Sequence, residues 1–162
     1  QGDRMSDTFD FEDWTSGATR LQRSCLIYRK PHLVARLDEI SQSRTTAGAV
    51  GLDVSEYDDE WVVVAQEFSD SALRLVFEHR SVEEIQAVMA AAIPADDEEI
   101  QQAMLIADSL VSPVMTWQQV LDLRAVVGDN QILVLVEAWT AASFGEVPLA
   151  PVPAEIVLGP EA

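Results

Sequence analysis

The chain has 162 residues, enough for one ordinary domain with a real hydrophobic core. Hydrophobic residues make up 48% of it, which excludes a disordered composition. Its 28 acidic and 10 basic residues leave a formal charge of −18, which repels phosphate backbones and anionic bilayers. Nucleic acid and membrane are therefore not expected partners, whereas a basic protein segment is attracted.

The first four residues, QGDR, precede Met5 and read as an expression scar. Residues 1–20 form an acidic N-terminal arm carrying Phe9, Phe11 and Trp14. Two readings of these aromatics stay open: they fold back on the body, or they form a short recognition segment. Residues 21–145 are expected to make the domain, and 146–162 an extended, proline-rich tail.

Within the domain, residues 21–29 mix branched and aromatic types, as a short strand does. They hold the single cysteine, Cys25, so no intrachain disulfide is available, and a small buried hydrophobe is the simplest role. Pro31 suits a first helical turn, and Leu33, Val34, Leu37 and Ile40 give one apolar face over 31–42. The small and polar residues of 41–51 predict a loop. From Asp53, the residues Val54, Tyr57, Trp61, Val64, Ala65 and Phe68 recur at helical spacing. The β-branched run WVVVA leaves a strand as the alternative there. Residues 72–79 alternate with period two and predict a strand, paired antiparallel with 22–29.

Ser81 and Glu84 form a capping box, followed by an apolar face of Ile85, Val88, Met89 and Ala92 that ends at Pro94. The acidic run ADDEE at 95–99 opens the next helix, with its charges at the positive end of the helix dipole. A calcium loop needs a glycine-containing turn that this run lacks. Ile100, Ala103, Met104, Ala107, Leu110 and Val111 continue as one helical face. Pro113 breaks it, and Thr116 with Gln119 makes a second capping box. Met115 and Val120 occupy the hydrophobic-staple positions around that cap. Trp117, Val120, Leu121 and Val127 are expected to face inward, and Gly128 to end the helix. Asp129 or Asn130 caps a last helix through ILVLVEAWTAASF, whose length favours helix over strand. Beyond Gly145 the tail has four prolines and no helical face, as expected of a segment lying in a groove on itself or on a partner.

No catalytic, cofactor-binding or metal site is expected. His32 and His79 are the only histidines, and neither has a second ligand at metal spacing. A pairing of Cys25 with either histidine has no supporting signature. The seven glycines are scattered, so no phosphate loop forms, and there is no nucleophile elbow. Of the four tryptophans, Trp61, Trp117 and Trp139 sit where core packing is the default, with interface duty reserved for one of them. The candidate partner-binding residues are Trp14, Trp139, Phe144, Val147, Leu149 and Val152.

One resemblance stands out. The stretch from Leu105, with Ser112-Pro113-Val114-Met115-Thr116, then Glu137-Ala138-Trp139 and Val147-Pro148, resembles the C-terminal half of tail assembly chaperones of siphophages that infect actinobacteria. Ser112 stands where that pattern has an acidic residue. FDFEDWTSGA, RSCLIYRKPHLVARLDEI and LRLVFEHRSVEE are also similar to its N-terminal and central segments. The likeness runs from 9 to 153, except that 41–70 lacks the long charged helix of the pattern. The resemblance implies a protein that binds the phage tape-measure protein, keeps it soluble, and promotes tail-tube assembly around it. It implies further contact with the major tail tube protein, residence in the host bacterial cytoplasm, and absence from the mature virion. Self-association is compatible with a long client. Two other readings remain: an acidic DNA-mimic inhibitor of a host protein, and a structural minor tail or connector protein. For architecture, the sequence predicts a mainly helical α+β domain, with five to six helices around a two-stranded antiparallel sheet and flexible arms at both ends.

Overall fold

The structure, a computed structural model, describes residues 8–91 and 97–147. In chain order the elements are α1 (Phe11–Ser16), β1 (Gln22–Tyr28), α2 (Leu33–Ala49), α3 (Ser55–Asp70), β2 (Ala72–Glu78), α4 (Val82–Ala91), α5 (Glu98–Ser109), β3 (Leu110–Ser112), α6 (Trp117–Val127) and α7 (Asp129–Phe144). The class is α+β and mainly helical, as expected.

The strands form one antiparallel sheet in the order β1-β2-β3. Cys25 lies opposite Leu75 and Ile27 opposite Leu73, so one face of the β1–β2 ladder is apolar. Leu75 and Phe77 on that face are fully buried, while Ser24, Leu26 and Arg74 on the other face are exposed. The buried face is covered by α7, which packs along β1 and β2, with α5 and α6 beside it. Leu135 and Ala142 of α7 are fully enclosed there with Ile106 and Val120. Gln131 of α7 also clasps the backbone of Tyr28. Its Nε2 donates to the Tyr28 carbonyl at 2.9 Å, and its Oε1 accepts from the Tyr28 N–H at 2.7 Å. The side-chain amide thus acts as one residue of a neighbouring strand at the edge of β1.

Local signals set most helix ends as read. The Ser81–Glu84 and Thr116–Gln119 capping boxes are both closed, and Asp97 caps α5. Met115 and Val120 both join the core. Gly128 ends α6 at φ 87°, a conformation that other residues rarely adopt.

Five expectations are corrected. The sheet has three strands: Leu110 pairs with Phe77 rather than extending α5, because the buried edge of β2 needs a partner and Leu110 continues its apolar face. The N-terminal arm contains α1, started by Asp10, whose carboxylate accepts from the Asp13 N–H. With these additions the described residues hold seven helices and three strands. The predicted loop at 41–51 is mostly helix, since α2 continues to Ala49. Its weak helix formers are overridden by packing on α3. Leu33, Leu37, Ile40 and Ala47 of α2 and Tyr57, Val64 and Phe68 of α3 are covered positions of the two packed helices, spaced by threes, fours and sevens as a helical seam requires. Arg44–Asp58 and Arg36–Glu60 ion pairs flank it. The expected face of α4 is only half-buried at Ile85 and Val88, because α4 leans on α5 at the rim. Trp61, expected in the core, is 42% exposed, because the α2–α3 hairpin makes its main contacts within itself and has no second layer to cover it.

Removing side chains at the two levels of this fold has separable outcomes. Leu135→Ala is expected to lower stability by about 2–5 kcal/mol in urea titrations, as large-to-small core changes do. Gln131→Ala strands two backbone groups of Tyr28 and is expected to cost about 1–3 kcal/mol in the same measurement. Ile40→Ala, by contrast, should release hydrogen-exchange protection within α2 and α3 while the β2 and α7 amides stay protected.

Candidate partner-binding surface

α7 presents two different faces along its length. Gln131, Leu135, Ala138 and Ala142 hold it to the sheet at spacings of four and three. Val136 and Trp139 therefore emerge to one side, where α4 and α5 pass. There they join Met89, Leu105, Gln101 and Gln102 around a groove of about 220 Å³. The indole Nε1 of Trp139 is buried and has no hydrogen-bond partner. A buried N–H left in this state costs free energy. Phe144 sets its ring edge-on to Trp139, with centroids 5.6 Å apart, and is itself exposed. Gly145 then releases the chain from the helix, and the exposed Val147 follows.

Two of the sequence candidates are thus placed together, Trp139 on the wall of the groove and Phe144 against its ring, while Val147 is exposed three residues further along the chain. Leu149 and Val152 lie outside the described residues. Trp14 belongs to a separate cluster on α1, where its ring lies 6.5 Å from that of Phe9. Met89, Leu105 and Val136 were missed as groove residues, because each follows the helical spacing of ordinary core positions.

A second apolar area lies where the α2–α3 hairpin joins the body. Tyr28 stacks on Phe68 with centroids 4.1 Å apart. The Arg29 N–H donates to the Ser71 carbonyl, and the Lys30 ammonium pairs with Glu67 at 2.8 Å. Val62 and Val63 stand exposed on the outer side of α3. The β-branched run that made this segment ambiguous in sequence is apolar on both sides of the helix, and only one side enters the seam.

The chemistry-bearing side chains remain apart. Cys25 faces Leu75, whereas His79 lies four residues further along β2, about 13 Å away at strand rise. The His79 Nδ1–H donates to the Ala142 carbonyl at 3.1 Å. His32 is exposed at the start of α2. Burial pushes the Cys25 thiol up to about 11, so it stays protonated at neutral pH. Among the described residues no group of three or more His, Cys, Asp or Glu is placed to hold a metal ion. No helix among them is long and apolar enough to cross a membrane. Glu84 is held below the usual carboxylate range by the Arg20 guanidinium, 2.6 Å away, and by the Ser81 N–H.

Compared with known proteins, the chain matches no family model, no curated protein and no solved structure.

The Cys25 environment has a direct readout. With the folded thiol raised above its unfolded value, the thiolate is scarce below about pH 9 in the native state. Labelling by a thiol-specific disulfide reagent at pH 8 is expected to be slow in buffer and fast in denaturing urea. Equal rates in the two conditions would contradict the placement of Cys25 on the covered face.

Proposed function

We propose that this chain is a tail assembly chaperone of a siphophage infecting an actinobacterium. In this reading it binds exposed apolar helices of the tape-measure protein, keeps that protein soluble, and promotes tail-tube assembly around it. It acts in the host cytoplasm and leaves before the virion is complete. The observation that carries the reading is the Trp139–Phe144 pair at the groove between α4, α5 and α7, within a chain of charge −18. The resemblance of the 105–153 segment, which contains this pair, supports the same reading.

The groove suits a transient hold on a helix. Its volume admits one or two apolar side chains, and a docked helix buries them at i and i+3 or i+4 spacing. Each aliphatic or aromatic side chain removed from water there contributes about 1.5–3 kcal/mol before ordering costs. The acidic surface attracts basic client segments and keeps loaded complexes from aggregating. Because the attraction is non-directional, many helices of one long client are acceptable ligands.

The test is co-expression with the tape-measure protein of the same phage. The client is expected in the soluble fraction only when the wild-type chain is present. Trp139→Phe retains a ring beside the groove and removes only a buried N–H, so little change in client affinity is expected. Phe144→Ala removes an exposed ring and is expected to weaken binding by about tenfold or more with little change in stability. An insoluble client in the presence of wild-type chain would refute the proposal. Mass spectrometry of purified particles should lack this chain, and its stoichiometric presence would favour a structural tail component instead.

A further inference from the structure

Three aromatic side chains of the N-terminal arm have no core of their own. Phe9, Phe11 and Trp14 are 66%, 67% and 63% exposed, and the Phe9 ring lies beside those of Phe11 and Trp14. Asp10, Glu12 and Asp13 alternate with them. Such a cluster is expensive to hold in water, and short acidic-aromatic segments of this kind act as ligands for apolar sites with a cationic group.

The root of the α2–α3 hairpin has that composition. Two cavities meet there, sharing Arg29, Asp70 and Ser71 on their walls. One, of about 520 Å³, is lined by Val62 and Val63. The other, of about 420 Å³, lies toward Leu73, Val126 and Val127. The charged groups of the shared rim are Arg29, Lys30, Glu67 and Asp70. Lys30 and Glu67 satisfy one another, and Asp70 accepts from the Gln66 amide at 2.7 Å. Arg29 alone among the described lysines and arginines has no side-chain hydrogen bond or ion pair. An unpaired guanidinium between two apolar lobes fits carboxylates set between aromatic rings.

On its own chain the arm lies away from this site, and no residue of it lines either cavity. Arg20 is anchored to Glu84 at 2.6 Å and to the His79 carbonyl at 3.2 Å, and the Leu21 carbonyl accepts from the His79 N–H. The Gly17 and Ala18 N–H groups donate to the Trp14 and Thr15 carbonyls, so the segment before Arg20 continues the turn of α1 at that end of β1. Arg29 follows the other end of β1, about 24 Å from Gln22 at strand rise. We infer that the acidic-aromatic arm, Phe9–Trp14, docks into the Arg29 site at the hairpin root of a second copy of this chain. Donor and acceptor are different surfaces, so two copies close as a pair by exchanging arms or pass them on to further copies. The contact is independent of the Trp139 groove, which stays free for a client.

Sedimentation velocity tests this directly. For the wild-type chain the average sedimentation coefficient is expected to rise from about 5 to about 500 μM. A donor-deficient variant, Phe11→Ala with Trp14→Ala, and an acceptor-deficient variant, Arg29→Glu with Val63→Asp, should each associate at least about tenfold more weakly. All four positions are exposed, so folding is not at stake. Mixing the two variants restores one competent contact, and a one-to-one complex that grows no further is expected. A wild-type chain that stays monomeric across the range overturns the inference, as does either variant associating like wild type. A mixture that forms no complex overturns it equally.

Discussion

α7 lies against the covered face of the sheet, and its register there governs most of what surrounds it. Leu135 and Ala142 enter the layer with Leu75 and Phe77, while Gln131 grips the edge of β1 through both polar groups of Tyr28. The apolar layer supplies the energy, and the amide clasp selects one register among the slides that an apolar layer alone tolerates. Once that register is set, Val136 and Trp139 have no choice but to point toward α4 and α5. The groove is therefore a by-product of how α7 is held, not of an independent loop.

The molecule combines two kinds of stability. The body has a contiguous core of sheet, α5, α6 and α7. The α2–α3 hairpin has a narrow seam, ion pairs on exposed flanks, and the Tyr28–Phe68 stack where it meets the body. Exposed ion pairs contribute little each, so the seam and the stack carry the hairpin. A helical pair held in this way keeps one apolar side, Val62 and Val63, in water beside the body.

Charge sets the conditions for both surfaces. Most of the few cations are occupied: Arg20 by Glu84, Arg80 by Glu78 and Asp108, and Arg124 by Glu99 and Asp129. What remains is a strongly negative envelope with apolar openings in it. Such an envelope discourages random hydrophobic association between copies and leaves attraction to sites where a cation is unpaired.

Much of this was legible in the chain itself. The branched and aromatic run of β1, the period-two run of β2, their antiparallel pairing, the two capping boxes and the helix ends at Gly128 and Gly145 were read correctly, and most of these depend on neighbours within a few residues. Trp139 and Phe144 were recognisable as candidates because a helix end with two aromatic rings is a local feature. The rest required distant partners. Leu110 has the spacing of a helical residue and becomes a strand only because Phe77 offers an unpaired edge. Residues 43–49 are poor helix formers that α3 holds in a helix. Met89, Leu105 and Val136 look like core in any window of sequence, and they line an opening only because α4 sits at the rim. Local backbone preference and capping chemistry were settled by the sequence alone. Which apolar faces found a cover, and which were left to solvent, was decided by tertiary packing, because burial is a property of the neighbours that arrive and not of the segment that waits for them.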